Sequence, residues 1–217
     1  MKMLIDSQWV NASNGEVIEV LNPATGQVID TVPKGTLEDA QQAVEAAQEG
    51  KRALSRLPAH AHAAVLARIQ QTRDEVRVTA RIFRGFAEEA KRLFGRVIPL
   101  DAVPGQERHL ALTIRQPLGV VAAIVPFNYP VELYAHKAAP ALAAGNAVIA
   151  KPPSECPLTL LRIAALMEEA GLPRAAHQMI TGPGAVIGEF LASTPGTDLP
   201  SLAGTPGAAS VTPPGGG

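Results

Sequence analysis

The chain is predicted to be an α/β protein built on a parallel sheet, and three observations within residues 119–157 carry that prediction. The first is an uninterrupted apolar run, Gly119–Val125, ending in Pro126-Phe127-Asn128-Tyr129-Pro130. The second is a helix-like stretch, Val131–Ala144, closed by Gly145-Asn146. The third is another apolar run, Ala147–Ala150, which stops at Lys151-Pro152-Pro153-Ser154. Short apolar runs bounded by Gly and Pro read as strands buried on both faces. Strand, helix and strand in this order make a right-handed βαβ unit, whose ligands sit at the carboxyl ends of its strands. Asn128 and Lys151 stand at those two ends. An amide and a cation there point to a nucleotide site.

The remaining elements follow in chain order. Residues 1–35 alternate apolar and polar side chains around Asn14-Gly15 and Thr25-Gly26, which predicts an antiparallel β arm with hairpins at both turns. Residues 36–108 form a helical part. Thr36 caps its first helix, with Asp39 placed for a capping box. From Ala59 to Phe94 the pattern is helical throughout, with only Gly85 as a break. Residues 109–118 include a strand, His109–Gln116. Residues 119–203 hold three strand–helix units: the two described above, the second continuing into helix Pro157–Ala170, and His177–Thr181 with helix Ala185–Ala192. Pro157 suits a first helical turn, and Gly171 and Pro173 stop that helix. Residues 204–217 are rich in Gly and Pro without apolar periodicity and are predicted to be disordered.

Composition narrows the function. With 217 residues, 47% of them hydrophobic, the chain can bury a sizeable core. A net charge of −1 provides no field for nucleic acid or an anionic membrane. The start lacks an apolar signal region, and the longest apolar stretch, broken by Pro140 and Gly145, is too short to span a bilayer. The single cysteine, Cys156, cannot form an internal disulfide, so a cytoplasmic setting is expected.

Pro126 to Pro130, Lys137 to Asn146 (KAAPALAAGN), Lys151-Pro152, Asn22 to Gly26, Pro117 to Val120, Glu169 to Pro173 and Thr181 to Gly184 together resemble the aldehyde dehydrogenase superfamily, over roughly residues 3–204. The resemblance implies an incomplete Rossmann-like sheet of three or four strands with an N-terminal β-hairpin arm and helices. It also implies an oligomerisation-type role for 109–118 and NAD(P)-dependent oxidation of an aldehyde to an acid. Asn128 matches the amide that holds the oxyanion, and Val125, Pro126 and Phe127 precede it along the cofactor. Lys151 matches the lysine on the adenosine ribose. Ser154 occupies a slot where NAD-preferring members carry a glutamate. A serine tolerates a 2′-phosphate that a carboxylate repels, so the cofactor is NAD or NADP, with NADP favoured. Gly184 matches a glycine near the adenine, and Gly204 and Thr205 match the start of the phosphate-binding motif. In that motif Pro206 and Ala209 depart from the pattern, which predicts impaired cofactor binding.

Two further departures bear on function. The family's Glu-x-Gly-Lys element is missing where Ile69-Gln70-Gln71 meets Thr72, which implies an internal deletion. The family's nucleophilic cysteine and catalytic glutamate come from a domain beyond the matched region, and Cys156 lies where a helix-capping threonine is usual. The resemblance therefore implies a cofactor-binding half without turnover of its own. A non-catalytic assembly module, forming homo-oligomers or joining full-length family members, and a truncated product without selected function are the alternatives.

Overall fold

The computed structural model describes residues 1–71 and 77–202. Met3–Ile5 (β1) and Gln8–Val10 (β2) form an antiparallel hairpin, in which Asp6 and Ser7 take φ of 49° and 57°. Two successive left-handed residues match the right-handed twist of the flanking strands. The Asp6 N–H donates to Gln178 Oε1 at 2.6 Å, which anchors the turn to the main sheet. Val17–Leu21 (β3) and Val28–Pro33 (β4) make a separate two-stranded ribbon around the Thr25-Gly26 turn. The hairpin expected at Asn14-Gly15 is not formed. Gly15 closes only a local turn onto the Ala12 carbonyl at 2.9 Å, because β2 and β3 belong to different sheets.

Helix α1 (Leu37–Ser55) starts with a capping box. Thr36 Oγ1 accepts from the Asp39 N–H, while Asp39 Oδ2 accepts from the Thr36 N–H at 2.8 Å. Where the sequence predicts one helix from Ala59 to Phe94, the structure has two, α2 (Ala59–Gln71) and α3 (Arg77–Ala90). They share one core, in which Ala63 and Leu66 are buried with Phe83 and Ala87. The helical period is preserved in both helices, so periodicity alone does not divide them. Residues 72–76, the predicted junction of the deletion, lie outside the described residues, as do 203–217. The predicted strand His109–Gln116 shortens to Ala111–Thr113 (β6), which pairs with Arg96–Ile98 (β5), a strand the sequence pattern did not mark.

The main sheet continues with β7 (Val120–Ile124), β8 (Ala147–Lys151), β9 (His177–Met179) and β10 (Leu199–Leu202). Its order is β10-β7-β8-β9-β1-β2: four parallel strands, with the N-terminal hairpin added antiparallel at one edge. The predicted three or four parallel strands are thus present, and the arm divides between this sheet and its own ribbon. Side chains alternate between two cores, as buried strands require. Val121, Ala123, Val148 and Ala150 face a core shared with α2, α3, α4 (Pro130–Ala143) and α5 (Leu158–Glu169). Val120, Ala122, Ala147 and Ile149 face the other core, with Val44 and Ala47 of α1 and Leu191 of α6 (Glu189–Ser193). The predicted helix 185–192 begins instead as a wide turn over Gly184–Gly188 and then tightens into α6.

Candidate functional site

The chain turns at the carboxyl ends of β7, β8 and β9 bring together most of the sequence-predicted site residues. Backbone bonds hold the three ends in register: Val125 N–H to the Lys151 carbonyl at 3.1 Å, and Ile180 N–H to the Ala150 carbonyl at 2.9 Å. Val125 is buried and anchors the loop, after which Phe127, Asn128 and Tyr129 are exposed. Pro130 then starts α4, its fixed φ suited to a first turn that needs no N–H. The Asn128 carboxamide therefore projects from a loop pinned at both ends, where it can donate to an anionic oxygen.

Lys151 closes β8 and is buried to 4% exposure. Burial lowers its pKa, while nearby Glu155 pulls in the other direction. Among the described residues its ammonium makes no hydrogen bond or ion pair. A buried cation without a partner suits an oxygen-rich ligand, because leaving it desolvated is costly. Gly184 adjoins it: a Cβ at that position would lie 3.9 Å from Lys151 Nζ, an ordinary contact distance. Ser154 Oγ donates to the Gly182 carbonyl at 3.1 Å and ties the loop after β8 to the turn after β9. Gly182 itself has φ 155°, and a Cβ there would meet Ile187 Cγ1 at 2.7 Å and the Gly35 carbonyl at 2.9 Å. Only glycine fits.

Gly35 was not marked by the sequence pattern, yet its N–H bonds the Thr181 carbonyl at 2.8 Å and its backbone supports Gly182. It sits in the connector between β4 and α1, where neither period nor motif singles out a residue. Gly204 and Thr205 lie outside the described residues.

Cys156 reaches the same edge, with Sγ 3.9 Å from the Phe127 carbonyl. Burial, reinforced by the charge of Glu155, pushes its pKa up. The thiolate is the nucleophilic form, so this environment suppresses reactivity. Beside it, Ile18, Val20, Phe127 and Leu158 line an open apolar cleft of about 700 Å³ between the β3–β4 ribbon and the start of α5. No group of three or more His, Cys, Asp or Glu side chains able to hold a metal ion is found among the described residues. No described helix is long and apolar enough to cross a membrane.

A strand-end lysine, a glycine turn and an amide-bearing loop thus lie together at this edge of the sheet. The 3-sulfolactaldehyde dehydrogenase of Priestia aryabhattai is 37% identical over 227 residues, covering 94% of this chain and 47% of its own length. An NADP-dependent succinate-semialdehyde dehydrogenase of Escherichia coli is 34% identical, covering 88% and 44%. Among solved structures, the NADP complex of an NADP-dependent glyceraldehyde-3-phosphate dehydrogenase from Bacillus halodurans superposes with a TM-score of 0.88 at 32% identity, covering 93% and 47%. The NAD⁺ complex of a betaine aldehyde dehydrogenase from Staphylococcus aureus gives 0.85 at 28%, covering 92% and 45%. The chain spans about half the length of the relatives it matches. The aldehyde dehydrogenase family model matches in two pieces, residues 9–72 and 67–210, which overlap at the end of α2. The chain belongs to the aldehyde dehydrogenase family.

Proposed function

We propose that this chain binds a nicotinamide dinucleotide along the carboxyl edge of its sheet, as the cofactor-binding half of an aldehyde-oxidising dehydrogenase. The observation that carries this reading is the buried ammonium of Lys151, which lies beside Gly184 and has no partner among the described residues. The residues present fit the cofactor: Lys151 would meet ribose oxygens, Gly184 would leave room for the adenosine, and Ser154 would border the ribose. When bound, the dinucleotide would supply the hydride acceptor. Asn128 would donate to the oxygen of a reacting aldehyde, and Val125 to Phe127 would set its position. NADP over NAD is the preference the Ser154 slot supports, since no carboxylate stands there to repel a 2′-phosphate. The two matched pieces of the family model meeting at 67–72 support an internal shortening at that point.

Within these residues the only thiol is Cys156, held protonated by its surroundings. Aldehyde turnover by these 217 residues alone is therefore not expected. Lys151→Met keeps the length of the buried stem and removes the charge. Titration calorimetry with NADP should show affinity falling by about tenfold or more, the size of a lost charged hydrogen bond. Unchanged affinity would remove Lys151 from the site.

A second reading draws on the β5–β6 ribbon, where Val97 and Leu112 face each other in register and are 72% and 58% exposed. A two-stranded ribbon with apolar side chains in solvent is marginal alone, which supports an assembly role through residues 109–118.

A further inference from the structure

The turn Gly182-Pro183-Gly184 is bordered by a second cation that the sequence motifs did not include. Lys151 lies beside Gly184. On the Pro183 side, a cleft of about 550 Å³ is lined by Pro183, Val186, Asn14, Glu16 and Lys34. Lys34 is fixed next to this turn by its neighbour: the Gly35 N–H bonds Thr181 and the Gly35 backbone packs against Gly182. In this structure the Lys34 ammonium pairs with Glu16 Oε2 at 2.7 Å, and both side chains are about half exposed, at 46% and 54%. Exposed pairs of this kind contribute little stability, so the ammonium can change partner at small cost.

The geometry points to Lys34 as a specificity-determining residue that recognises the 2′-phosphate of NADP, with Glu16 as the counter-ion it leaves. This rests on the reading that the adenosine of a dinucleotide lies along the Gly182–Gly184 turn. It goes further by naming the group that reads the phosphate. A phosphate dianion outcompetes a single carboxylate for an ammonium, whereas an unphosphorylated ribose offers no charge to compete with Glu16. Lys34 therefore contributes nothing to NAD, while Lys151 contributes to both cofactors.

Calorimetric titration of the full chain with 2′,5′-ADP and with 5′-AMP separates the two lysines. Lys34→Met should weaken 2′,5′-ADP about fivefold and leave 5′-AMP within about twofold, while Lys34→Arg should keep the wild-type preference. Glu16→Gln removes the competitor and should tighten 2′,5′-ADP about twofold with no effect on 5′-AMP. Both differences should shrink in high salt, as for any exposed charge contact. Equal losses for the two ligands, or none, would overturn the role of Lys34 and leave the nucleotide site standing. Failure of the wild-type chain to bind either ligand would remove the dinucleotide reading, and this inference with it.

Discussion

Gly50→Ala is expected to cost about 3 kcal/mol of stability, the upper range for an overpacked core site. Gly50 lies inside α1, where a Cβ would overlap the carbonyl of Ala175 and approach Ala176 N at 2.6 Å. Those atoms are backbone, so no side chain can swing away to make room. The opposing segment is itself constrained. Ala175 takes φ 60°, a left-handed conformation that costs a non-glycine residue free energy. Its carbonyl also accepts from Gln178 Nε2 at 2.8 Å, and its N–H donates to Ser7 Oγ at 3.1 Å. Moving it would loosen the start of β9 and the first hairpin together. Gly85→Ala is the control. It sits within α3, with open space where a Cβ would go, and should stabilise the fold by up to about 1 kcal/mol through helix propensity alone. Urea midpoints of the two variants should move in opposite directions; a neutral Gly50→Ala would show that α1 does not seat against this loop.

Acid should destabilise the fold through His177 before general carboxylate protonation does. His177 is in β9, 4% exposed, with Nε2 2.8 Å from the Tyr134 hydroxyl, which also lies 3.2 Å from Met167 Sδ. Burial depresses the His177 pKa to about 4 and raises that of Tyr134. Among the described residues Nδ1 has no partner. The arrangement that satisfies most groups has Nε2–H donating to Tyr134 and Tyr134 donating to Met167, which leaves Nδ1 as a bare lone pair. An orphaned N–H would cost more than an orphaned acceptor. Protonation converts Nδ1 into that orphaned donor. The folded pKa lies below the unfolded value of about 6.5, so the unfolded chain binds the proton more readily through this window. Stability is therefore complete above about pH 6.5 and is lost progressively as pH falls towards 4, by up to about 3 kcal/mol. His177→Phe should remove most of that slope between pH 6.5 and 4.5. Parallel denaturation profiles for wild type and variant would place the acid sensitivity elsewhere.

Much of this was legible in the residues. Gly119–Val125 and Ala147–Ala150 were readable as strands because each is apolar on both faces and closed by turn formers. The capping box at Thr36 and Asp39 was readable because it is local, and Lys151 because it ends an apolar run. What was hidden depends on contacts distant in sequence. Asp6-Ser7 gives a weaker turn signal than Asn14-Gly15, yet it forms the hairpin, because pairing of β1 with β9 decides where β2 must go. The division into α2 and α3 was hidden by an apolar period common to both. Lys34 and Gly35 occupy a connector without pattern, and only the fold carries them to the turn after β9.

The claim on which the functional account depends is that these residues supply a dinucleotide cradle without an activated sulfur nucleophile. The most direct measurement combines NADP titration of the purified chain with an assay of aldehyde-dependent NADP reduction, on wild type, Lys151→Met and Cys156→Ala. The account predicts saturable binding that Lys151→Met weakens and Cys156→Ala leaves intact, with no reduction in any sample. Reduction by the wild-type chain that Cys156→Ala abolishes would contradict it, as would the absence of any NADP binding.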